Sequence, residues 1–298
     1  MLIVASQQSG NGSGTELGRR LATELGSVGY RARLHIAHDL PRSGASLVRQ
    51  LRESACLIGI GGDHTLNELA RVSHDAGVPL LPVPTGFGNI FAAALDLRAT
   101  MAGIRETLER GRVELLDAGL IGDELFLANQ GFGFLTQVQH AVEMSGSQPR
   151  HRGPRYLRYM QRAVHALLRA PLPSLRVDAD GIAMAEDAPV VLVANVPSYR
   201  RFMPLVTDAS PFDGRLDVVA APPMSKSRLV TWLLGVVAGI PGCRSKMRSQ
   251  RAKRITVTDA SGAHEIRVAA HAIPILCPRQ PAPRRDHRSP SASRLGAA

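Results

Sequence analysis

A glycine-rich turn between an apolar segment and a helical segment constrains this chain more than any other feature. The apolar run Cys56–Ile60 predicts a short buried strand, and Gly61-Gly62-Asp63-His64-Thr65 leads from it into a helix. Glycine lets the backbone turn and approach a ligand closely, and Thr65 with Glu68 has the spacing of a capping box. A strand that ends in glycines and opens a helix directs free backbone N–H groups at one point. The turn therefore predicts a phosphate-binding site.

Asp63 lies in the middle of this turn. A carboxylate repels phosphate unless a cation or a transferable proton lies between them, so Asp63 indicates Mg²⁺ binding or general-base chemistry. The alternative is an ordinary tight turn in which the aspartate bonds to its own backbone. A short glycine motif alone does not distinguish a functional site from an ordinary turn. The pattern of the rest of the chain is needed to choose between them.

Strand-like and helix-like segments alternate through the first 117 residues. Strands are predicted at Leu2–Ala5, Arg31–Ala37, Cys56–Ile60 and Val78–Val83, with helical spacing of apolar residues between them. This alternation predicts a doubly wound, mostly parallel α/β sheet. Such sheets bind ligands at the carboxyl ends of their strands. The loops after the first, third and fourth strands are rich in Gly or Ser, which favours one shared nucleotide site over three unrelated turns.

The second half of the chain has a different pattern. From about residue 118, short β-type runs are separated by turns such as Ala179-Asp180-Gly181, which is typical of an antiparallel sandwich. We therefore predict a nucleotide-binding α/β domain over residues 1–117, a β-sandwich domain for the substrate over 118–270, and a strand over 271–278 that returns to the first domain. Residues 279–298 are mainly Arg, Pro, Ser and Ala and predict a disordered basic tail.

Charge narrows the range of partners. The net charge is +11, and all but three of the 36 Lys and Arg residues are arginine. The excess reflects either genomic base composition or attraction to phosphates and anionic membrane surfaces. Aromatic residues make up only 4% of the chain, too few for the stacking surfaces of single-strand nucleic-acid binders. Nucleic acid is therefore not an expected partner.

Cysteine usage and hydropathy indicate the compartment. Cys56, Cys243 and Cys277 are widely spaced in apolar segments, as expected for buried thiols in a reducing environment. The first residues lack the basic flank of a signal peptide, and the longest apolar stretch, Leu229–Ile240, is too short to span a bilayer. We therefore expect a cytoplasmic protein.

The order of the motifs resembles the diacylglycerol kinase catalytic domain family, which includes sphingosine kinases and bacterial lipid kinases and is distantly related to NAD kinases. The segment Gly61–Glu68 is similar to the family's GGDGTxNE, and Pro84–Phe91 is similar to PxGTGNDF. Ser6–Gly12 stands where the family has NPxSG, and Asn129–Phe134 and Phe212–Asp217 resemble the start of its second domain and its DDGxLD. No lysine precedes Lys226, which excludes a P-loop NTPase.

The resemblance implies an ATP- and Mg²⁺-dependent kinase that transfers the γ-phosphoryl of ATP to a lipid hydroxyl, of diacylglycerol or a related lipid, in the cleft between the domains. The lipid would be met at an anionic membrane surface, peripherally at the inner membrane, and a homodimer is left open. The nucleotide-binding residues carried over are Ser9, Gly10, Gly61, Gly62, Asp63, His64, Thr65, Asn67, Glu68, Gly86, Gly88 and Asn89. Asp63 would act through Mg²⁺ or as a base, and Asp213 and Asp217 match acids that hold a structural Mg²⁺, although an ordinary Asp-Gly turn explains those two equally well.

The chain departs from the family pattern at several of these positions. His64 replaces the last glycine of GGDG, and Phe87 and Ile90 replace the Thr and Asp of GTGND. The Glu of the late DGE turn, the family's usual base, is not recognisable; Asp259 and Glu265 lie in that region as catalytic candidates, and each also fits a solvated hairpin residue. Two alternatives stay open: a catalytically impaired relative that binds nucleotide or lipid, and a soluble-substrate kinase of the NAD kinase type.

Overall fold

The computed structural model has an α/β domain followed by a β-sandwich, and the predicted fold class is confirmed. The structure describes residues 1–7, 13–38, 40–85, 89–97, 99–143, 171–197, 205–206, 208–237, 240 and 247–279. The predicted tail lies outside the described residues beyond position 279. Within the described residues, no helix has both the length and the apolar character that a bilayer crossing requires.

The first part of the chain forms a parallel sheet in the order β2-β1-β3-β4. Its strands are β1 (Leu2–Ser6), β2 (Arg33–Ala37), β3 (Leu57–Gly61) and β4 (Leu80–Pro84). Its helices are α1 (Ser13–Ser27), α2 (Leu40–Leu51), α3 (Asp63–Ala76), α4 (Ile90–Ala94) and α5 (Met101–Arg110).

The helices that follow the neighbouring strands β1 and β3 lie on opposite faces of this sheet. α1, which follows β1, packs Leu21 and Leu25 in one core together with Ile58. α3, which follows β3, packs Leu66 and Leu69 in a separate core. Because β1 pairs with both β2 and β3, the chain changes direction across the sheet at β1. In doubly wound sheets such a switch opens a crevice at the carboxyl ends of the strands, where ligands bind.

The second part of the chain is antiparallel. Its elements are β5 (Arg112–Ile121), β6 (Glu124–Phe126), β7 (Asn129–Gly133), α6 (Phe134–Glu143), β8 (Leu175–Ala179), β9 (Ile182–Ala188), β10 (Val190–Ala194), β11 (Leu216–Ala220), α7 (Lys226–Val237), β12 (Arg248–Ala252), β13 (Arg254–Asp259) and β14 (Gly262–Cys277). A four-stranded sheet, β12-β11-β10-β7, shares a buried core with β8, β13 and β14 through residues such as Val177, Val218 and Ile255.

The long strand β14 connects the two parts. Its first residues pair with β13, and its later residues pair with β5 and, in parallel, with β4 at Ile275 and Leu80. The strand predicted to return over residues 271–278 is thus the last part of β14. The register shifts between Ala269 and Ile273, where His271 has a φ of 50°. One sheet of ten strands therefore runs through both parts of the chain.

A buried carboxylate stabilises the chain at this register shift. Asp117 is fully buried; its Oδ1 accepts a hydrogen bond from His271 N (2.8 Å) and its Oδ2 from Gly214 N (2.6 Å). Gly214 has a φ of 69°, a conformation that favours glycine. The buried Asn195 donates to the carbonyl oxygens of Asp117 and Leu127, both at 2.8 Å. Donors from distant segments thus compensate the burial of the charge.

We predict that Gly61→Ala destabilises the protein, because a Cβ at this position overlaps the Cβ and Cγ2 of Thr65. Overpacking of this kind costs about 1–3 kcal/mol in the free energy of unfolding, measurable by urea titration. Gly26→Ala is the matched control, because its Cβ would meet nothing within 4 Å in α1 and alanine favours a helix. Equal stability of Gly61→Ala and the wild type would contradict the close packing of α3 on β3.

We predict that Asp117→Asn lowers the free energy of unfolding by about 1.5–3 kcal/mol, because the amide keeps one acceptor and turns an N–H group towards another donor. The same urea titration measures this loss. Asp123→Asn, at an exposed carboxylate of the β5–β6 turn, is the control and is expected to change little. A loss of stability no larger than that of the control would show that Asp117 does not stabilise the positions of the segments around Gly214 and His271.

Candidate active site

The loops predicted to form the nucleotide site leave the same edge of the parallel sheet. β1, β3 and β4 end at Ser6, Gly61 and Pro84, and Gly61 lies opposite Pro84 in the strand register. A hydrogen bond of 2.9 Å from Thr85 N to Gly61 O joins the second loop to the third. Among the candidates, four lie outside the described residues and their roles stay predictions: Ser9, Gly10, Gly86 and Gly88.

Asp63 lies at this edge as the first residue of α3. The helix has Gly62 as its N-cap residue, with φ −90° and ψ −179°, a backbone conformation open to any residue. Oδ2 of Asp63 accepts a hydrogen bond from Ile90 N (3.2 Å), and Oδ1 accepts one from Phe91 N (3.4 Å). The carboxylate therefore connects the first turns of α3 and α4, which begin after neighbouring strands.

Burial sets the protonation behaviour of this carboxylate. Loss of water around the half-buried side chain raises the pKa of Asp63, and the N–H groups of Ile90 and Phe91 oppose the rise without cancelling it. An aspartate with a raised pKa accepts a proton more readily near neutral pH than an ordinary one does. This is the property expected of a general base.

The predicted capping box at Thr65 and Glu68 is wrong. The helix α3 begins at Asp63, two residues before Thr65, and no side chain caps its N-terminus. Thr65 is instead buried inside the first turn, against Gly61. His64, the second residue of α3, is exposed and has a helical backbone. The histidine therefore replaces the family's glycine without needing a positive φ. Contacts of either side chain with a nucleotide remain predictions.

One face of α3 is fixed to main-chain atoms beyond the first sheet. Asn67, Arg71 and His74 lie at i, i+4 and i+7, which is one side of a helix. Asn67 Oδ1 accepts a hydrogen bond from Leu127 N (3.0 Å), and Arg71 donates to the carbonyl oxygen of Asp123. Nδ1 of His74 lies 2.8 Å from the carbonyl oxygen of Ala272. Asn67 thus bonds to the second part of the chain in this structure. Its predicted contact with a nucleotide, like those of Glu68 and Asn89, is untested.

Sequence reasoning missed Arg71, His74 and the buried Asp117. The available signal for the first two was the i, i+4, i+7 spacing of polar residues along a helix whose other side is apolar. For Asp117 the signal was a single carboxylate inside the apolar run Leu115–Leu120. A charge in such a strand needs hydrogen-bond partners, and their identity depends on the tertiary fold.

The two candidate replacement bases lie on the β13–β14 hairpin. Asp259 accepts hydrogen bonds from the backbone N (2.7 Å) and the hydroxyl (2.5 Å) of Ser261, and lies 3.4 Å from Nε2 of His264. The Ser261 hydroxyl lowers the pKa of Asp259, which makes this carboxylate a poorer base. Glu265 is exposed and lines an open cleft of about 900 Å³ beside Thr256.

The predicted metal ligands Asp213 and Asp217 share an arginine. Nη1 of Arg251 lies 3.6 Å from Asp213 Oδ2, and its Nε lies 3.4 Å from Asp217 Oδ1. No group of three or more His, Cys, Asp or Glu side chains suited to a metal occurs within the part of the chain that the structure describes. Because a guanidinium lies between the two carboxylates, these residues do not fit a structural Mg²⁺.

Two family models match consecutive regions of the chain. Residues 1–121 match the diacylglycerol kinase catalytic domain, and residues 133–272 match the YegS C-terminal NAD kinase beta sandwich-like domain. The fold and the crevice thus define a two-domain protein of the NAD kinase and diacylglycerol kinase fold class. By these matches the first part of the chain is similar to the diacylglycerol kinase catalytic domain, and the second part is similar to the YegS C-terminal domain.

Individual relatives agree with this assignment. The chain is 28% identical over 177 residues to the diacylglycerol kinase of Bacillus subtilis (strain 168), covering 57% of this chain and 55% of the relative. It is 25% identical over 166 residues to an uncharacterised Synechocystis protein, covering 55% of this chain and 37% of that protein. The chain thus spans about half the length, or less, of these relatives.

A solved structure shows the same fold over nearly the whole chain. It is described as a diacylglycerol kinase from Bacillus anthracis str. Sterne and superposes with a TM-score of 0.64 at 16% identity. The match covers 93% of this chain and 96% of the other. At this identity the likeness establishes the fold alone.

We predict that the wild type gains stability relative to Asp63→Asn as the pH falls. Because the folded-state pKa of Asp63 is raised, the stability that the protonated acid confers is fully present below the unfolded pKa of about 3.9 and is lost as pH rises through the folded pKa. Asparagine does not titrate, so the change with pH in the difference between the two melting temperatures is independent of the hydrogen bond that the amide itself loses. Thermal unfolding across pH measures it, with Asp123→Asn as the exposed control. A wild type that loses stability relative to Asp63→Asn on acidification would show that the charged form stabilises the fold.

Proposed function

We propose that this chain is an ATP- and Mg²⁺-dependent lipid kinase that phosphorylates a hydroxyl of diacylglycerol or a related lipid. The observation that carries the proposal is the position of Asp63, a half-buried carboxylate at the switch-point crevice with its two oxygens oriented by main-chain N–H groups. The match of residues 1–121 to the diacylglycerol kinase catalytic domain supports phosphoryl transfer as the reaction. The names of relatives support a lipid as the acceptor.

Asp63 acts as the base in the proposed reaction. The lipid hydroxyl oxygen bonds to the γ-phosphorus, its proton passes to the Asp63 carboxylate, and ADP leaves with the electron pair of the broken P–O bond. Phosphoryl transfer depends mainly on positioning and on charge stabilisation. The raised pKa of Asp63 suits it to take this proton. The N–H groups of Ile90 and Phe91 hold its carboxylate in one orientation.

The first turn of α3 supplies the nucleotide's phosphate contacts in this proposal. A helix of 14 residues leaves its first N–H groups without intrahelical partners and has a positive dipole end there. As the alternative to the base role, Asp63 would hold the Mg²⁺ that the resemblance implies, because each of its oxygens accepts one long hydrogen bond and keeps a lone pair. When bound, Mg²⁺ neutralises charge on the phosphate oxygens.

The lipid is met at an anionic membrane surface, to which the protein binds peripherally from the cytoplasm. Exposed basic residues on and between neighbouring strands support this part of the proposal: Arg248, Lys253 and Arg254. Each basic residue near an anionic surface contributes about 1 kcal/mol of attraction.

A second candidate is a relative that binds nucleotide or lipid without catalysis. The lowered pKa of Asp259 favours it, because a carboxylate satisfied within its own hairpin is a poor substitute for the missing family base. The kinase is the better-supported function, since Asp63 can accept the proton itself. The third alternative is an NAD kinase-like activity on a soluble substrate. An assay with labelled ATP distinguishes it from a lipid kinase, because the label would appear in a soluble product instead of a lipid.

We predict labelled lipid when the purified chain is incubated with γ-labelled ATP, Mg²⁺ and micelles of diacylglycerol, monoacylglycerol or sphingoid bases. Asp63→Ala should reduce turnover by roughly 10²–10⁴-fold or more, the usual contribution of a general base. Glu265→Gln, Asp259→Asn and the exposed control Asp123→Asn should retain turnover near that of the wild type. His64→Gly should raise turnover if the imidazole only crowds the phosphates, and lower it if the imidazole binds them.

Nucleotide binding separates the alternatives when no lipid is labelled. A saturable rise in melting temperature with Mg·ATP, absent in Asp63→Ala, together with no labelled lipid from wild type or His64→Gly would favour the non-catalytic relative. Label found in NAD instead of lipid would favour the soluble-substrate kinase. Absence of any nucleotide-dependent shift in the wild type would rule out both kinases and the nucleotide-binding form of the non-catalytic relative.

A further inference from the structure

Acidic and carbonyl oxygens near the start of β11 converge on one guanidinium. All three nitrogens of Arg251 have a partner: Nε lies 3.4 Å from Asp217 Oδ1, Nη1 lies 3.6 Å from Asp213 Oδ2, and Nη2 donates to the carbonyl of Asp208 at 3.3 Å. Asp217 and Arg251 are direct cross-strand neighbours of β11 and β12. The arginine is therefore positioned by the sheet register as well as by charge.

The oxygens of the two carboxylates leave little room for a metal ion. Asp213 Oδ1 accepts a hydrogen bond from Arg215 N (3.1 Å), and Arg251 contacts the other oxygen of Asp213 and one oxygen of Asp217. Asp217 Oδ2 is buried and has no hydrogen-bond partner. Mg²⁺ needs a near-octahedral shell of oxygens at about 2.1 Å. A guanidinium already lies against both carboxylates, so a second cation bound to them would be repelled by its fixed charge.

The negative charges of Asp208, Asp213 and Asp217 nevertheless require a positive group close to them. The Asp217 side chain is only 16% exposed, and burial raises its pKa while the Arg251 guanidinium opposes the rise. Asp213 and Asp208 add further negative charge nearby. Without a positive partner, the poorly solvated Asp217 carboxylate would lie beside two other acids that repel it, which is destabilising.

We propose that the Arg251 guanidinium takes the place of a structural metal ion in the second domain, so that this domain is stable without a divalent cation. The guanidinium is planar, always charged and offers donors in several directions, so it joins three groups as a small cation would. It also fixes the turn at Asp213, whose neighbour Gly214 donates to the buried Asp117. The inference is independent of the proposed kinase activity.

Thermal unfolding of the nucleotide-free protein tests this proposal. The wild-type melting temperature should be the same in EDTA and in millimolar Mg²⁺. Arg251→Met should lower it by several degrees, roughly 2–8 °C, and Mg²⁺ should then restore part of the loss in a saturable way. Arg267→Met is the matched control, since it removes one exposed arginine from the other sheet and should show neither effect.

Additional variants assign the response to this cluster. Asp217→Asn in the Arg251→Met background should abolish the rescue by Mg²⁺. Measurements in an Asp63→Asn background remove any Mg²⁺ response that comes from the active site. A saturable stabilisation of the wild type by Mg²⁺ that survives Asp63→Asn and is lost in Asp217→Asn would overturn the proposal. So would an Arg251→Met variant as stable as the control. If Arg251→Met does not fold, Arg251→Gln, which removes the charge and keeps a hydrogen-bond donor, replaces it, with the same two responses expected.

Discussion

The hydrogen bonds along one side of α3 determine how the two parts of this chain meet. The apolar side of the helix is buried on the parallel sheet through Leu66 and Leu69, while its polar side bonds to main-chain atoms of β14 and of the segment around β6. A helix of 14 residues is about 21 Å long and stiff. Asp63, at its first residue, is therefore held in a fixed relation to the second domain. A change in the angle between the domains would have to break these bonds or move the carboxylate.

Two carboxylates of the second domain have partners from distant segments. Both oxygens of Asp117 accept main-chain N–H groups, and one oxygen of Asp217 pairs with a guanidinium from the next strand. An uncompensated buried charge costs several kcal/mol, so each of these acids disfavours any arrangement in which its partners are absent. Because Gly214 contacts Asp117 and its neighbour Asp213 contacts Arg251, the two acids jointly fix one turn. Their contribution is to specify the arrangement of segments more than to add net stability.

The sequence predicts features that depend on local periodicity and on strand order. The parallel sheet, the antiparallel second part and the position of Asp63 at a strand end all follow from such patterns. It fails where the outcome depends on packing between distant residues. Thr65 has the spacing of a cap, but its methyl group packs against Gly61 and the helix begins earlier. Arg251 is 34 positions from Asp217, and only the register of β11 and β12 brings them together. Similarity to the family motif suggests a ligand role for Asp213 and Asp217 because the motif carries no information about that register.

The departures from the family pattern affect Asp63 in different ways. Ile90 replaces an acid of the family motif, yet the bond to Asp63 comes from its main-chain N–H, so the side-chain change leaves that bond intact. A second carboxylate so close would raise the pKa of Asp63 further by charge repulsion. With isoleucine there, desolvation is left as the main cause of the raised pKa. The replacement therefore keeps the orientation of the carboxylate and limits its basicity to what burial provides. Since Asp259 is occupied within its own hairpin, the balance between burial and main-chain donors at Asp63 determines how readily this site accepts a proton.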